Sequence, residues 1–295
     1  MREWLQFSVL GLIWGSAFLW IKIALDEMTP FTLVALRMCL ATTGLLVVMR
    51  IRGLRFPRDP KILKHLGVMA VLSPCLPLLL VSWAETRIDS TVASVLNGTV
   101  PLFTIILAHG FLSDERMTPA AFGGLVVGFL GVLVLMGQDL SVQALVAGNL
   151  GGQIALILAT LLYAASTIYS RRYIQGLSPI VHSAGLMAYS AVMTVVIALI
   201  FEAPLHLPHA VVTWVAVFWL GILSSCFGFI MFFDLLRKWG ATRSSVVNYV
   251  FPVIGVALGI IVRGEPLGWR LVAGAALILS GIALVNLKAI RGRSY

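Results

Sequence analysis

An asparagine followed four residues later by a proline occurs twice at one offset in this chain. Asn97 precedes Pro101, and 151 residues on, Asn248 precedes Pro252. A proline inside a helix removes a backbone donor and clashes with the preceding turn, which frees the carbonyl four residues back. In both copies that carbonyl belongs to the asparagine. An asparagine side chain donates and accepts, so each copy offers a polar break suited to a zwitterionic or amide-bearing solute. Aromatic residues accompany the pair: Tyr249 adjoins Asn248, and an offset of 149 carries Trp14 onto Tyr163. Rings at matched depth on two helices suit a cavity that stacks an apolar or aromatic solute. The substrate-binding set read from the sequence is therefore Trp14, Asn97, Pro101, Tyr163, Asn248, Tyr249 and Pro252.

The elements that hold these residues follow from composition. Of 295 residues 60% are apolar and 11% charged, against about 25% charged in a soluble domain, and the mean hydropathy is +1.00. Apolar runs of about 20 residues with short polar breaks read as membrane-spanning helices, because lipid forces every backbone polar group to find an internal partner. The runs lack the period-two alternation of a membrane barrel. The net charge of +9 is the basic loop charge of a membrane protein and calls for no nucleic acid. Cys39, Cys75 and Cys226 all lie within apolar runs, as small hydrophobes.

Ten spans are expected, near residues 4–23, 30–49, 66–83, 90–112, 119–137, 150–170, 179–201, 211–235, 241–262 and 267–287. Gly15-Ser16-Ala17 resembles a signal cleavage site, but removing span one would orphan its repeat partner. The chain thus divides into a first five-helix repeat (1–137), a linker (138–149), a second five-helix repeat (150–288) and a tail (289–295). Matches such as Ser94/Ser245, Glu115/Glu265, Gly124/Gly274 and Gly131/Gly281 keep their order across the halves. Five is odd, so the second half enters the membrane upside down. Two inverted five-helix repeats are a construction typical of secondary transporters. Lys and Arg crowd alternate loops, as at Arg50, Arg52, Arg55, Arg58, Lys61 and Lys64, while the opposite loops hold only Lys22, Arg87, Arg263 and Arg270. Both termini are therefore expected in the cytoplasm.

Arg37 stands seven residues past Pro30, roughly 10 Å along a helix. A charge at that depth points to a substrate or gating contact; a structural partner such as Glu85 or a group of carbonyls is the equal alternative. Pro74, Trp83 and Ser225 are expected to bend or border the same cavity. The acids lie in loops or at span ends, Glu85 and Asp234 being nearest the membrane. A proton exchanger usually needs an intramembrane carboxylate, so this distribution favours uncoupled transport.

These residues also carry a family resemblance. Pro101 and Pro252 in mid-span, an acidic break after each (S-D-E-R-M-T and R-G-E-P-L-G), glycines at helical spacing beyond, and L-I-W-G-S-A-F at Leu12–Phe18 resemble the EamA family of the drug/metabolite transporter superfamily. The first break reads Asp114-Glu115 where the family's usual pattern is Gly-Glu. The resemblance implies a metabolite carrier, commonly an exporter, in a bacterial inner membrane. Together the readings point to a transporter of small polar or zwitterionic metabolites, amino acids foremost, working by alternating access around a central cavity. A lipid or lipid-linked solute flippase is the alternative. No enzyme, cofactor or metal is expected: Glu202, His206 and His209 are ligand-type residues, but Pro204 and Pro208 break the helix that would align them. The expected partners are a small-molecule substrate and the lipid bilayer. Because both repeats lie in one chain, a monomer suffices.

Overall fold

A computed structural model describes residues 2–112, 117–136, 149–174, 176–205 and 207–291, with side chains except at 2, 242, 243, 245, 246 and 285–291. The described chain is all helical. Eight helices are long and apolar enough to cross a membrane: α1 (Glu3–Ala24), α2 (Pro30–Ile51), α3 (Pro60–Glu85), α4 (Ser90–Phe111), α5 (Pro119–Met136), α6 (Asn149–Tyr173), α7 (Pro179–Phe201) and α8 (Val211–Trp239). Two shorter apolar helices follow, α9 (Val247–Arg263) and α10 (Trp269–Leu284), the last being part of a helix that runs to Arg291. The first acidic break, with Glu115, and the 138–148 link lie outside the described residues.

Proline opens α2, α3 and α7, where its missing N–H costs nothing and its fixed φ suits the first turn. Asp59 and Ser178 cap α3 and α7 by accepting from Lys61 N (2.9 Å) and Val181 N (3.3 Å). The Asp-Pro cap starts α3 six residues before the apolar run that marks it in the sequence, adding a polar turn and a half.

Four helices are irregular, and these are the ones the site needs. In α3 the backbone is extended at Ser73 (φ −169°, ψ 121°), immediately before Pro74. α8 widens to i→i+5 turns over Trp219–Phe227, a span that contains the positions 151 residues beyond Val71–Cys75. α4 breaks between Asn97 and Val100, and a 3-10 turn over Ser245–Tyr249 leads into the α-helical part of α9.

Helix pairs α5/α10, α2/α7, α3/α6 and α4/α9 pack along one another. The α5/α10 seam is backbone on backbone. A methyl at Gly131 would lie 2.8 Å from the Gly274 carbonyl oxygen, and one at Gly281 would collide with the α5 backbone at Gly124 and Gly128. Small residues permit this approach. Large apolar side chains such as Val192, Ile261 and Trp269 stand at least two-thirds exposed on the outside, a surface that lipid covers and water would not favour.

Candidate functional site

The irregular helices converge on a cavity of about 90 Å³ in the middle of the bundle, several times the roughly 10–15 Å³ that one water needs. Trp14 and Phe18 line it from α1, Arg37 from α2, Asn97 from α4, Tyr163 and Thr167 from α6, Ser224, Phe229 and Phe232 from α8, and Asn248 and Phe251 from α9.

The widened turn of α8 explains how Trp14 is held. The Gly228 N–H bonds five residues back to the Leu223 carbonyl, so the Ser224 carbonyl is left available. The Trp14 indole N–H donates to it at 2.8 Å. The ring then meets Phe229 and Phe232 with centroids 5.4 Å away, and Phe251 at 6.2 Å. The same stretch of α8 holds Arg37. Arg37 Nε donates to Ser225 Oγ (2.7 Å) and one terminal nitrogen to Ser224 Oγ (3.0 Å), while the other terminal nitrogen, Nη1, has no protein partner. The residue is only 4% exposed. Asn97 is also buried, and its Oδ1 accepts from no protein group.

Of the residues singled out in the sequence, the structure brings Trp14, Arg37, Asn97, Tyr163 and Asn248 to one cavity. Ser225 lies one layer behind it, orienting Arg37. Pro74 sits beside the extended Ser73, which does line the cavity. The other four are not on the cavity wall. Pro101 is buried in the second half of α4, and Pro252 packs against Gly98 where α4 and α9 meet. Tyr249 turns away to donate to the Ile282 carbonyl (3.0 Å), and Trp83 lies at the end of α3 with the Arg87 guanidinium 3.7 Å above its ring. The prolines and Tyr249 shape the broken helices, whereas the asparagines present polar groups to the space between them. The aromatic wall of Phe229, Phe232 and Phe251 is an addition: within continuous apolar runs, nothing distinguishes a cavity-facing Phe from a packed one.

Arg37 is anchored by two hydroxyls rather than by Glu85 or a carbonyl group, and it makes no ion pair with Glu85. Glu85 is itself a correction. It ends α3 but is fully buried, and neither carboxylate oxygen has a hydrogen-bond partner. It stands at a span end, as the sequence placed it, but it is enclosed by protein, and a buried carboxylate weakens the case for uncoupled transport.

Beyond the cavity, the end of the bundle remote from the N-terminus is tied together by charges. Glu265 accepts from Ser90 N (3.0 Å), Ser90 Oγ (2.7 Å) and Thr91 N (2.8 Å), capping α4. Glu202 caps α2 through Phe31 N (3.1 Å) and Thr32 N (2.7 Å), and Glu27 caps α8 through His209 N and Ala210 N, both at 3.1 Å. Glu265 and Glu202 accept from orphan N–H groups of a first turn, Glu27 accepts from the two residues that lead into α8, and each carboxylate complements a helix dipole. Lys22 Nζ donates to the Glu85 and Ile88 carbonyls (2.7 and 2.8 Å), and Arg263 makes a two-point pair with Asp26 (2.7 and 3.1 Å). Glu202 and His209 are thereby engaged in capping contacts; His206 lies outside the described residues.

An uncharacterized transporter of Archaeoglobus fulgidus is 29% identical to this chain, over 97% of it and 99% of the relative. The uncharacterized inner membrane transporter YedA of Escherichia coli is 25% identical, with 94% and 88% covered. A crystal structure with 23% identity superposes with a TM-score of 0.72 over 98% of this chain and 99% of its own, a likeness of fold. The profile of the EamA-like transporter family matches residues 3–137 and again residues 150–287. A multi-pass helical membrane protein with a polar, aromatic-walled central cavity, the chain belongs to the EamA-like transporter family.

Proposed function

We propose that the chain is an inner-membrane secondary transporter that moves small polar or zwitterionic metabolites, amino acids foremost, in the direction of export. The observation that carries this reading is the convergence of two broken helices, each bringing an asparagine, on one buried cavity. Interrupted helices in matching positions of two halves mark the binding site in transporters of inverted-repeat construction, and Asn97 and Asn248 stand 151 residues apart. Alternating access follows from rocking one half against the other around this layer, with the glycine seam of α5 and α10 keeping one helix of each half in contact. The basic loops support a reading with both termini in the cytoplasm, and the two halves in one chain support a monomer as the working unit.

The test is uptake into proteoliposomes of a pool of labelled amino acids, with and without a pH gradient, by the wild-type chain and by Trp14→Ala. Saturable uptake that Trp14→Ala lowers at least tenfold supports the reading, and the gradient arm decides coupling. Lipid redistribution in vesicles that take up none of the pool would replace it with a flippase.

A further inference from the structure

We propose that Arg37 is a carboxylate anchor, and that the cavity selects small monocarboxylates carrying an aromatic or bulky apolar body. This rests on the reading of the cavity as the transport site and narrows it to a substrate class. Three observations carry it. Arg37 is the one charged residue among the described residues lining the cavity, and the groups that hold it, Ser224 and Ser225, are neutral. Two hydroxyls orient a guanidinium without balancing its charge, and the Glu85 carboxylate that acts on it from a distance forms no ion pair with it and does not line the cavity; a buried cation without a paired counter-charge is costly. The same two bonds occupy Nε and one terminal nitrogen and leave Nη1 without a protein partner at a cavity wall. An anionic oxygen from a ligand satisfies both the charge and the donor, and guanidinium–carboxylate contacts are among the strong charge-assisted hydrogen bonds.

The rest of the wall defines the other end of the solute. Trp14, Phe18, Phe229, Phe232 and Phe251 line the same cavity, and their faces and edges accommodate a ring or a branched alkyl group. The unpartnered Asn97 Oδ1 accepts one N–H or O–H. An α-amino group is therefore tolerated, and nothing acidic in the described wall rewards its positive charge. The carboxylate is required, while the ammonium is optional.

Three probes with one body separate these features: 3-phenylpropionate, L-phenylalanine and phenethylamine, titrated into the full-length chain in nanodiscs and followed by calorimetry. The expected order has 3-phenylpropionate and L-phenylalanine binding at least tenfold more tightly than phenethylamine. Arg37→Gln then weakens the two carboxylates at least tenfold and does not weaken phenethylamine. Arg37→Lys, which keeps the charge without the fork, falls between and serves if the Gln variant does not fold. Phenethylamine binding as tightly as the carboxylates, carboxylate binding indifferent to both substitutions, or no binding of any probe would each overturn the anchor. Arg37-dependent binding without flux in proteoliposomes would instead uphold the anchor and sink the transport reading.

Discussion

The two ends of the bundle are held by different kinds of contact. At the end remote from the N-terminus, Glu27, Glu202 and Glu265 cap helices that lie 170 or more residues away in sequence, and Asp26 pairs with Arg263. At the N-terminal end, among the described residues, the contacts of Lys238 are mostly local. Lys238 bonds Asp234 one turn away (2.6 Å) and reaches Glu3 only at 4.0 Å. Rings make long-range contacts there: Trp4 and Phe7 pack on Trp239, and His65 packs against Tyr169 and Tyr173. Opening the capped end would strand first-turn N–H groups that only a distant carboxylate satisfies. Among the described residues, parting the ring-packed end strands fewer. The capped end is the bolted side of the molecule in this structure, and the N-terminal end is the side that separates at lower cost.

The contrast is sharpest at Glu265. Glu265→Ala removes the acceptor of three buried bonds and is expected to destabilise the protein by about 3 kcal/mol, read as a fall in the thermal midpoint in detergent. Lys238→Ala, at the other end, is expected to stay within about 0.5 kcal/mol of wild type. Equal losses would erase the distinction. A middle-sized effect is expected from Arg263→Ala. Its pair with Asp26 is partly exposed and worth roughly 0.2–1 kcal/mol, enough to raise the fraction open at that end by a factor of about 1.4 to 5. The measurement is labelling of Asn97→Cys, in a background without the native cysteines, by an impermeant thiol reagent applied from the capped side. The smallest effect concerns acid. The Ala210 N–H holds the Glu27 carboxyl below its ordinary value of 4.5; desolvation is the next largest influence and opposes it, and bonds from Thr213 and His209 add to the lowering. A depressed carboxyl stabilises the fold above its ordinary value, and that contribution disappears as the pH falls through the lowered one. Glu27→Gln should therefore lower stability slightly in the neutral region and leave the acid end unchanged, which flattens the acid limb of the stability–pH curve.

Much of the site was legible because the chain is written twice. Asn97 and Asn248, or Trp14 and Tyr163, were found by offset, and both pairs line the cavity. What the offset could not supply was the third dimension. Arg37 has no basic counterpart at 186, so no repeat announced that its partners would be Ser224 and Ser225, nearly 190 residues away. Proline was read correctly as a breaker and wrongly as wall: Pro101 and Pro252 bend their helices, yet neither lines the space that results. Burial of Glu85 was hidden for another reason. Its neighbours Thr86 and Arg87 are exposed, so position along the chain gave it the look of a solvated end, while its own side chain is fully buried. The acidic residue of R-G-E-P-L-G was legible as a motif, but its purpose, capping α4, appears only where the helix ends meet.

The glycine seam carries a consequence for how the protein is made. α5 leaves the ribosome long before α10 exists, and its partner glycines Gly274 and Gly281 follow roughly 150 residues later. At about 5–20 residues per second, α5 must persist in the membrane for about ten to thirty seconds with a bare backbone stripe facing lipid or a helper protein. The helix that closes the first half of the chain is thus among the last to find its permanent neighbour.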